Sequence, residues 1–349
     1  VEIPKDNGKM RLLGIPTVVD RLVQQAINQV LTPIYENQFS KTSYGFRPRR
    51  GCHDAIRGAQ SIINEGYIYV VDLDLERFFD TVSHSKLIEI LSRTIKDGRV
   101  VSLIHKYLRS GVMNKGLFEA SEEGTPQGGP LSPLLSNIIL NELDKELERR
   151  GLPFVRYADD SMIFCKSKRA AMRVKESITR FIENVLYLRV NKEKTVVSYV
   201  RGVKYLGYSF YVMKGKCQLT VHPKSKAKMK SRLKELTSRS NGWGYAKRKQ
   251  KLKEYIRGWV GYYHLANMKR LLLETDEWLR RRIRMCIWKA WKKVKTKVAN
   301  LIRCGINKYQ AYEWGNTRKG YWHIANSPIL ATAISNNNLR AAGYATLMG

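Results

Sequence analysis

The chain has 349 residues, more than one ordinary hydrophobic core accommodates, so we expect at least two folded units. It carries 63 Lys and Arg against 30 Asp and Glu, a net charge of +33 that repels itself unless anions neutralise it. Three explanations account for the excess of positive charge: a soluble basic surface, binding to an anionic membrane, or binding to nucleic acid. Aromatic residues interleaved with the charges favour nucleic acid, because rings stack on bases. No stretch approaches the roughly 20 apolar residues that span a bilayer, and no signal core opens the chain, so we expect a cytoplasmic protein without a membrane partner.

The first part of the chain alternates helical and strand-like patterns. Apolar residues at helical spacing predict an amphipathic helix over residues 17–35 that ends near Pro33. The other elements expected here are helices over 51–63, 87–108, 130–147 and 168–186, a strand over 67–75, two strands within 154–164, and a strand pair formed by 195–200 and 203–212. This mixture predicts an α+β unit over residues 1–218.

Composition shifts near residues 218–223. Residues 224–234, 246–263 and 269–297 are strongly basic and helical in pattern, which predicts a separate all-α domain over 219–349. Five scattered cysteines contain no CxxC pair, which argues against a disulfide framework or a zinc site and predicts free thiols. The chain opens on a strand-like pattern without an initiator Met, so we expect an upstream portion to be missing.

Three carboxylates stand at the ends of apolar strands. Asp74 lies near the end of the 67–75 run, and Asp159 and Asp160 lie with Ala158 where the two strands of 154–164 are joined. A single Asp at such a place is usually a turn residue or helix cap. Two adjacent carboxylates in one tight turn repel each other unless a cation intervenes, which favours metal ligands over solvated turn residues. Two Mg²⁺ ions held by such acids support phosphoryl transfer.

Several motifs, met in one order along the chain, resemble those of reverse transcriptases encoded by group II introns. Residues 74–80 (DLERFFD) resemble motif A, 124–133 (GTPQGGPLSP) motif B and 157–160 (YADD) motif C. Residues 43–48 (SYGFRP) and 204–208 (KYLGY) resemble a further conserved block and the primer grip. The resemblance implies a right-hand polymerase, with fingers and palm built on an antiparallel sheet and followed by an all-α thumb or maturase X domain.

The resemblance implies that Asp74, Asp159 and Asp160 are the catalytic carboxylates. It also implies that they bind two Mg²⁺ ions together with the Leu75 carbonyl, and that Mn²⁺ can substitute for Mg²⁺. Asp72 competes with Asp74 in motif A. The family places its metal ligand five positions before the ring that abuts the sugar, which selects Asp74 with Phe79.

The resemblance also implies a set of substrate contacts. Residues expected to bind the dNTP are Lys5, Arg11, Phe78, Phe79, Gln127 and Lys194, with Phe79 as a steric gate against a 2′-hydroxyl and Lys194, near Asn191, as a general acid. Residues expected at the template and primer are Arg47, Pro48, Gly128, Tyr205, Leu206 and Gly207. Ordinary explanations stay open for several of them: a core Phe, a surface Lys and a solvated β-turn at residues 5–11.

The basic domain offers an RNA-binding face. The cations expected there are Arg280, Arg281, Arg284, Lys292 and Lys293, opposite an apolar stripe of Leu279, Ile283, Cys286, Ile287 and Ala290, with Trp278, Trp288 and Trp291 as stacking platforms. Solvated surface is the simpler alternative. Residues 255–263 (YIRGWVGYY) also resemble the thumb of the same family.

The resemblance implies an RNA-directed DNA polymerase that binds its group II intron RNA, an RNA template with a DNA or RNA primer, dNTPs and a DNA target, and that promotes splicing and retrohoming as a ribonucleoprotein in a bacterial-type host. The chain resembles the short bacterial class, without an endonuclease segment and without the family's amino-terminal extension. The alternatives are an RNA-binding splicing cofactor with a silent polymerase site, and a domesticated relative in phage defence, array acquisition or repair.

Overall fold

The computed structural model describes residues 1–4, 8, 10–114, 117–119, 122–125 and 128–348. In it the chain divides into two compact units, Val1–Gln218 and Leu219–Gly349. No helix in the described ranges has both the length and the apolar composition to cross a membrane. All five cysteines are free thiols.

The first unit contains six helices and most of the strands among its described residues. The helices are α1 (Val18–Glu36), α2 (Cys52–Asn64), α3 (His84–Thr94), α4 (Gly98–Arg109), α5 (Ser132–Arg149) and α6 (Lys168–Asn184). The strands are β1 (Glu2–Pro4), β2 (Met10–Leu12), β3 (Tyr69–Leu73), β4 (Val112–Asn114), β5 (Leu117–Glu119), β6 (Phe154–Tyr157), β7 (Asp160–Cys165), β8 (Val196–Tyr199), β9 (Tyr208–Met213) and β10 (Lys216–Val221), the last of which contains the boundary between the units.

The centre of the first unit is a four-stranded antiparallel sheet in the order β6-β7-β3-β8. On one face Val71 lies opposite Ile163, and both belong to a large buried cluster with side chains of α3 to α6. On the other face Val70 lies opposite Phe164, and both are fully buried. The mixed α+β fold with an antiparallel sheet is therefore confirmed. Strands buried on both faces explain the near-continuous apolar sequence of β3.

The predicted pairing of residues 195–200 with 203–212 is wrong. β8 instead pairs with β3 in the central sheet, while β9 begins only at Tyr208 and pairs with β10. The cause lies in the connection: Val200–Gly202 forms a 3₁₀ turn, and a tight turn follows at Leu206 and Gly207. These turns take up residues that the apolar alternation alone assigned to a strand.

Two helix boundaries also differ from expectation. α1 continues through Pro33 to Glu36, because Leu31 and Tyr35 are buried and hold its last turns in the core. The single helix expected over residues 87–108 is two helices. Ile95 is extended, and the Asp97 side chain accepts a hydrogen bond from the Arg99 amide to start α4.

The second unit is helical from residue 223 onward. Its helices are α7 (Pro223–Leu236), α8 (Tyr245–Tyr262), α9 (Lys269–Ala290), α10 (Val294–Arg303), α11 (Lys308–Gly315), α12 (Tyr321–Ile324), α13 (Pro328–Ala333) and α14 (Asn336–Ala341). The helix expected over 269–297 therefore stops at Ala290. Trp291 leaves helical geometry and packs edge-to-face on Trp288 at a centroid distance of 5.8 Å, which anchors the bend between α9 and α10.

Candidate active site and basic surfaces

Asp74 is held immediately beyond the end of β3 by the loop before β8. Its backbone amide donates to the Thr195 hydroxyl at 3.2 Å, and its carbonyl accepts from the Asn191 amide at 2.9 Å. The Asn191 side chain accepts from the Lys194 amide at 3.1 Å, a local turn that directs the chain back towards Asp74. Lys194 Nζ then lies 3.3 Å from each carboxylate oxygen of Asp74. The structure thus brings Asn191 and Lys194 to the Asp74 of motif A.

Asp159 lies in the tight turn of the β6–β7 hairpin, and Asp160 is the first residue of β7. Tyr157 lies opposite Asp160 in the register, so Ala158 and Asp159 are the turn residues. Ala158 has φ +57°, the left-handed conformation that a two-residue hairpin requires and that a residue with a Cβ seldom adopts. The contacts around the turn must therefore offset the strain of a non-glycine residue in this conformation.

Asp74 and Asp160 meet Asp72 at one cleft in the first unit, whereas Asp159 is not among the residues that line it. Its volume is about 260 Å³, and its lining residues are Asp72, Leu73, Asp74, Asp160, Lys194, Lys204, Tyr205, Leu206 and Gly207. Six of these, namely Asp74, Asp160, Lys194, Tyr205, Leu206 and Gly207, are site residues predicted from the sequence, and Asp72 is the competitor of Asp74. Lys204 was missed as a cleft cation, although it begins the motif that was quoted for the primer grip.

Electrostatic repulsion is concentrated in this cleft. Although Asp160 is exposed, its carboxyl is closely surrounded by protein atoms, and this desolvation, with repulsion from Asp159 and Asp74, raises its pKa to about 6 against the attraction of Lys204 and Lys194. Burial raises the pKa of Asp72 to about 6 as well, with further repulsion from Asp160 and Asp74. The cleft therefore carries negative charge that a cation would relieve.

The donor set fits a hard divalent cation, but it is not a closed cage. Within the described part of the chain, no group of three or more His, Cys, Asp or Glu converges enough to hold a metal ion by itself. Mg²⁺ commonly uses only one or two protein carboxylates and completes its octahedron with water and substrate phosphates. Leu75 lies opposite Val190 in an antiparallel bridge. The two hydrogen bonds of this bridge are made by the residues on either side of Leu75, Asp74 and Glu76. The Leu75 carbonyl therefore points away from Val190.

Phe79 lies in a 3₁₀ turn that is tied to motif B. Its ring is partly buried and packs edge-to-face on the buried Phe78 at 5.2 Å. The Phe79 carbonyl accepts from the Thr125 amide at 2.6 Å, and Gly124 donates to the Val82 carbonyl at 2.7 Å. The buried imidazole of His84 lies 2.6 Å from the Gly124 carbonyl. Sequence reasoning missed His84, because nothing in the spacing of motifs A and B reveals that they meet there.

The primer-grip motif forms a tight turn beside the carboxylates. Tyr205 and Tyr208 exchange backbone hydrogen bonds of 3.0 and 2.9 Å, and Leu206 and Gly207 between them have φ values of +48° and +85°. Two consecutive positive φ values define a type I′ turn, in which Leu206 is strained and Gly207 is not. The Tyr205 ring is buried, and burial raises the pKa of its hydroxyl.

Two of the expected nucleotide-binding residues, Lys5 and Gln127, lie outside the described residues, and for Arg11 only the backbone of β2 is described. The flanking hairpin is present, with Ile3 opposite Arg11. Gly128 has φ +111°, and a side chain there would collide with the Gly14 carbonyl. The motif B backbone thus runs close to the segment that precedes α1.

Arg47 has a different environment from the one expected. Its buried guanidinium forms an ion pair with Glu36 at 2.7 Å, donates to the carbonyls of Ser40 and Ser43, and lies over the Phe39 ring. These contacts make Arg47 a support of its own loop, which corrects the expectation that it contacts the template. Pro48, one position further, is exposed.

The second unit has a net charge of +23, from 29 Lys and Arg against 6 Asp and Glu. Leu279, Ile283 and Cys286 form a buried stripe on α9, whereas Ala290 is exposed. The expectation that Trp288 and Trp291 stack on bases is wrong, because both rings are buried.

The expected RNA-binding cations of this unit separate into two groups. Arg280 is buried and pairs with Asp276 at 2.6 Å, and Arg284 donates to the Ile334 carbonyl at 2.8 Å. Arg281 donates to the Trp322 carbonyl at 2.9 Å and lies over its ring. Arg280 also donates to the Asn336 carbonyl at 3.4 Å, so all three arginines contact later residues of the domain, which corrects their assignment to a free cationic face. Lys292 and Lys293 are exposed.

Known protein families match sequence in both units. The family "Reverse transcriptase (RNA-dependent DNA polymerase)" matches residues 3–210, and the family "Group II intron, maturase-specific domain" matches residues 226–305. The first match covers more than half of the chain and includes the whole cleft. The chain belongs to the reverse transcriptase family. Polymerases of this family generally use divalent metals, in keeping with the carboxylates of the cleft.

Individual relatives agree with this membership. The chain is 37% identical over 247 residues to protein YkfC of Escherichia coli, an alignment that covers 60% of this chain and 65% of YkfC. It is 32% identical over 273 residues to the group II intron-encoded protein LtrA of Lactococcus lactis, covering 60% of this chain and 45% of LtrA. The chain thus matches less than two thirds of the length of either relative. Among solved structures, Candida tropicalis telomerase bound to a fragment of telomeric RNA has 13% identity and a TM-score of 0.48, with 91% of this chain and 64% of that chain covered.

Proposed function

We propose that this chain is an RNA-directed DNA polymerase that extends a primer with dNTPs on an RNA template. The observation that carries the proposal is that Asp74 of motif A and Asp160 of motif C line one cleft together with Lys194 and Lys204. Residues 1–218 would then form fingers and palm, and residues 219–349 the thumb and maturase X domain. Membership of the reverse transcriptase family supports the same function.

Asp74, Asp159 and Asp160, together with the Leu75 carbonyl, would hold two Mg²⁺ ions, or Mn²⁺ as a substitute. Bound there, the metal would supply Lewis-acid activation of the primer hydroxyl and charge stabilisation for the departing pyrophosphate. All four donors are oxygen atoms, which suits a hard cation. The repulsion among the cleft carboxylates supports the assignment.

The remaining residues would position the nucleotide. Phe79 would exclude a 2′-hydroxyl by steric repulsion, with Phe78 fixing its ring from behind. Lys194, which reaches the Asp74 carboxylate, would stand near the triphosphate and donate a proton to the leaving group. Lys5, Arg11 and Gln127 would contact the triphosphate and the nascent base pair. Gly128, Pro48 and the turn of Tyr205, Leu206 and Gly207 would border template and primer.

A second function, RNA splicing, is favoured by the second unit. Its charge of +23 and its match to the maturase-specific domain support binding to a group II intron RNA, followed by splicing and retrohoming into a DNA target as a cytoplasmic ribonucleoprotein. Of the five cations expected on the RNA-binding face, Lys292 and Lys293 are exposed and would contact phosphates.

The test of the polymerase function is primer extension on an RNA template with the purified chain, Mg²⁺ and dNTPs. We expect full-length DNA from the parent and none from Asp159→Asn. Absence of extension by the parent protein, under conditions in which it binds the template and primer, would refute the proposal for this chain. Splicing is tested separately, by incubating the protein with a cognate intron RNA at low Mg²⁺.

A further inference from the structure

Beneath the hairpin that bears Asp159 and Asp160 lies a fully buried ion pair. Arg156 of β6 donates from Nε to Asp144 Oδ1 at 2.8 Å and from Nη2 to Asp144 Oδ2 at 2.5 Å. Both side chains are 0% exposed. Such a pair loses its hydration on folding, and apolar residues of the same size are often as good or better for stability. Its presence therefore calls for an explanation other than stability.

The third nitrogen of Arg156 connects the pair to the turn. Nη1 donates to the Ala158 carbonyl at 3.0 Å and to Asn137 Oδ1 at 2.9 Å. The fixed planar fork of the guanidinium allows it to serve Asp144 and these two acceptors at once. Because Ala158 is the residue with φ +57° that precedes Asp159, its carbonyl orientation sets the direction in which the turn leaves β6.

The same network also connects the hairpin to residues 42–45. Asn137 Nδ2 donates to the Gly45 carbonyl at 2.9 Å. Gly45 is so close to the turn that a Cβ there would collide with the Ala158 amide nitrogen. The backbone of Arg156 also exchanges hydrogen bonds with the Gly45 segment, through Tyr44 at 2.8 Å and Thr42 at 3.0 Å. The turn is thus held by α5 from below and by residues 42–45 from the side.

We infer that Arg156 is a positioning residue for the Asp159–Asp160 turn, oriented by Asp144 and Asn137, and that Gly45 is required for the closeness of the clamp. The inference rests on the proposed polymerase function, because it gives the turn its role. Correct placement matters since a displacement of about 1 Å at a reacting centre costs on the order of 100-fold in rate.

The first test measures the turn without any catalysis. Hydrogen exchange of the peptide over residues 154–165 is compared for the parent, Asn137→Ala, Arg156→Lys and Gly45→Ala. Arg149→Met is the matched control, because Arg149 is an exposed arginine of α5 whose partner is Glu146. Gly98→Ala is the glycine control, since a Cβ there meets no atom within 4 Å. We expect faster exchange in this peptide for the three network variants and unchanged exchange for both controls.

The second test separates positioning from general stability. Asn137→Ala leaves the Arg156 to Asp144 pair intact, so it should fold; we expect its kcat for primer extension to fall on the order of 10- to 100-fold at unchanged KM for template and primer. The Mg²⁺ or Mn²⁺ concentration for half-maximal rate should rise, whereas a smaller folded fraction would leave that midpoint unchanged.

Either outcome of these measurements is decisive. Parent-like exchange over residues 154–165 together with a parent-like metal midpoint in folded Asn137→Ala and Arg156→Lys would overturn the inference. If the parent itself does not extend primers, the proposed function fails, and the hydrogen-exchange comparison still decides whether the network holds the turn.

Discussion

Lys194 Nζ stands 3.3 Å from both carboxylate oxygens of Asp74, so a cation of the chain itself lies against the residue proposed to hold the catalytic metal. The pair is partly exposed, and solvent screening keeps its own contribution to stability small. Its position therefore says more about chemistry than about folding. If the proposed function holds, an exposed ammonium at this place could exchange Asp74 for the phosphate oxygens of an incoming nucleotide.

Replacing Lys194 by Ala should lower the maximal extension rate on the order of 100-fold or more, the usual contribution of a general acid. Lys194→Arg should restore nucleotide binding but not the rate, because a guanidinium does not release its proton at neutral pH. The measurement is single-turnover incorporation of one dNTP across a pH series. Lys192→Ala, an exposed neighbour, is the control. A normal rate in Lys194→Ala would remove the residue from the mechanism.

Asp159→Asn removes one charge from the proposed metal site while preserving the shape of the turn. Since the lost charge stabilisation amounts to several kcal/mol, extension should fall on the order of 1,000-fold or more, to the point of abolition. RNA affinity measured by filter binding should stay close to that of the parent. Glu193→Gln, a nearby exposed acid, should extend normally. Near-normal extension by Asp159→Asn would overturn the site assignment.

Phe79→Val should admit ribonucleotides. The exclusion is steric, so a smaller side chain should raise the ratio of rNTP to dNTP incorporation efficiency on the order of 10- to 100-fold. Phe164→Leu is the control: its ring is fully buried on the other face of the central sheet, and its loss should reduce stability without altering the ratio. Steady-state incorporation of single nucleotides gives both values. An unchanged ratio in Phe79→Val would show that this ring is not the gate.

Lys292→Ala combined with Lys293→Ala should weaken RNA binding and flatten its salt dependence. Counterion release sets the slope of log affinity against log salt at roughly 0.7 to 0.9 per phosphate contact, so two lost contacts are measurable. Arg280→Ala, in contrast, breaks a buried pair with Asp276 and should lower the unfolding temperature instead. An unchanged slope in the lysine variant would leave the basic surface without evidence for RNA contacts there.

Asp72→Asn should stabilise the protein at neutral pH in metal-free buffer. Burial, aided by Asp160 and Asp74, raises the pKa of Asp72 from 3.8 to about 6, so the folded state binds its proton more tightly than the unfolded state. Stability present below about pH 3.8 is therefore lost as the pH rises through about 6. The variant should unfold at a higher temperature than the parent above that range and at the same temperature below it. Thermal scans across pH decide the matter.

The sequence could predict the architecture of the cleft because each catalytic motif is a local string with an obligatory geometry. Asp74 follows an apolar strand, and the turn at Asp159 needs only two flanking strands, so both positions could be named before their surroundings were known. Lys194 followed from the same resemblance, although a surface lysine was the simpler explanation. Its contact with Asp74 depends on a turn at Asn191 that is itself readable from the sequence.

The errors concern residues whose environment is decided by tertiary packing. Arg47 looks like a free cation in a basic sequence, and only the folded chain brings Glu36 to it. Asp276 lies four residues before Arg280 on the same helix, so that pair is readable from the sequence, but the burial of Arg280 is not. Trp288 belongs to the core for the same reason. The break between α3 and α4 was different: Asp97 before Gly98 is a helix-start signal, but the apolar periodicity on either side masked it.

The net charge of +23 in the second unit also bears on how the protein can be kept intact in solution. Repulsion among so many like charges destabilises the folded unit, and added salt screens that repulsion. If the unit binds RNA as proposed, the same salt would compete with RNA for the cations. Salt and RNA would then each stabilise the protein by neutralising its charge while opposing each other's binding, so a preparation stripped of nucleic acid should be most stable at high ionic strength and should lose stability on dilution unless RNA is added first.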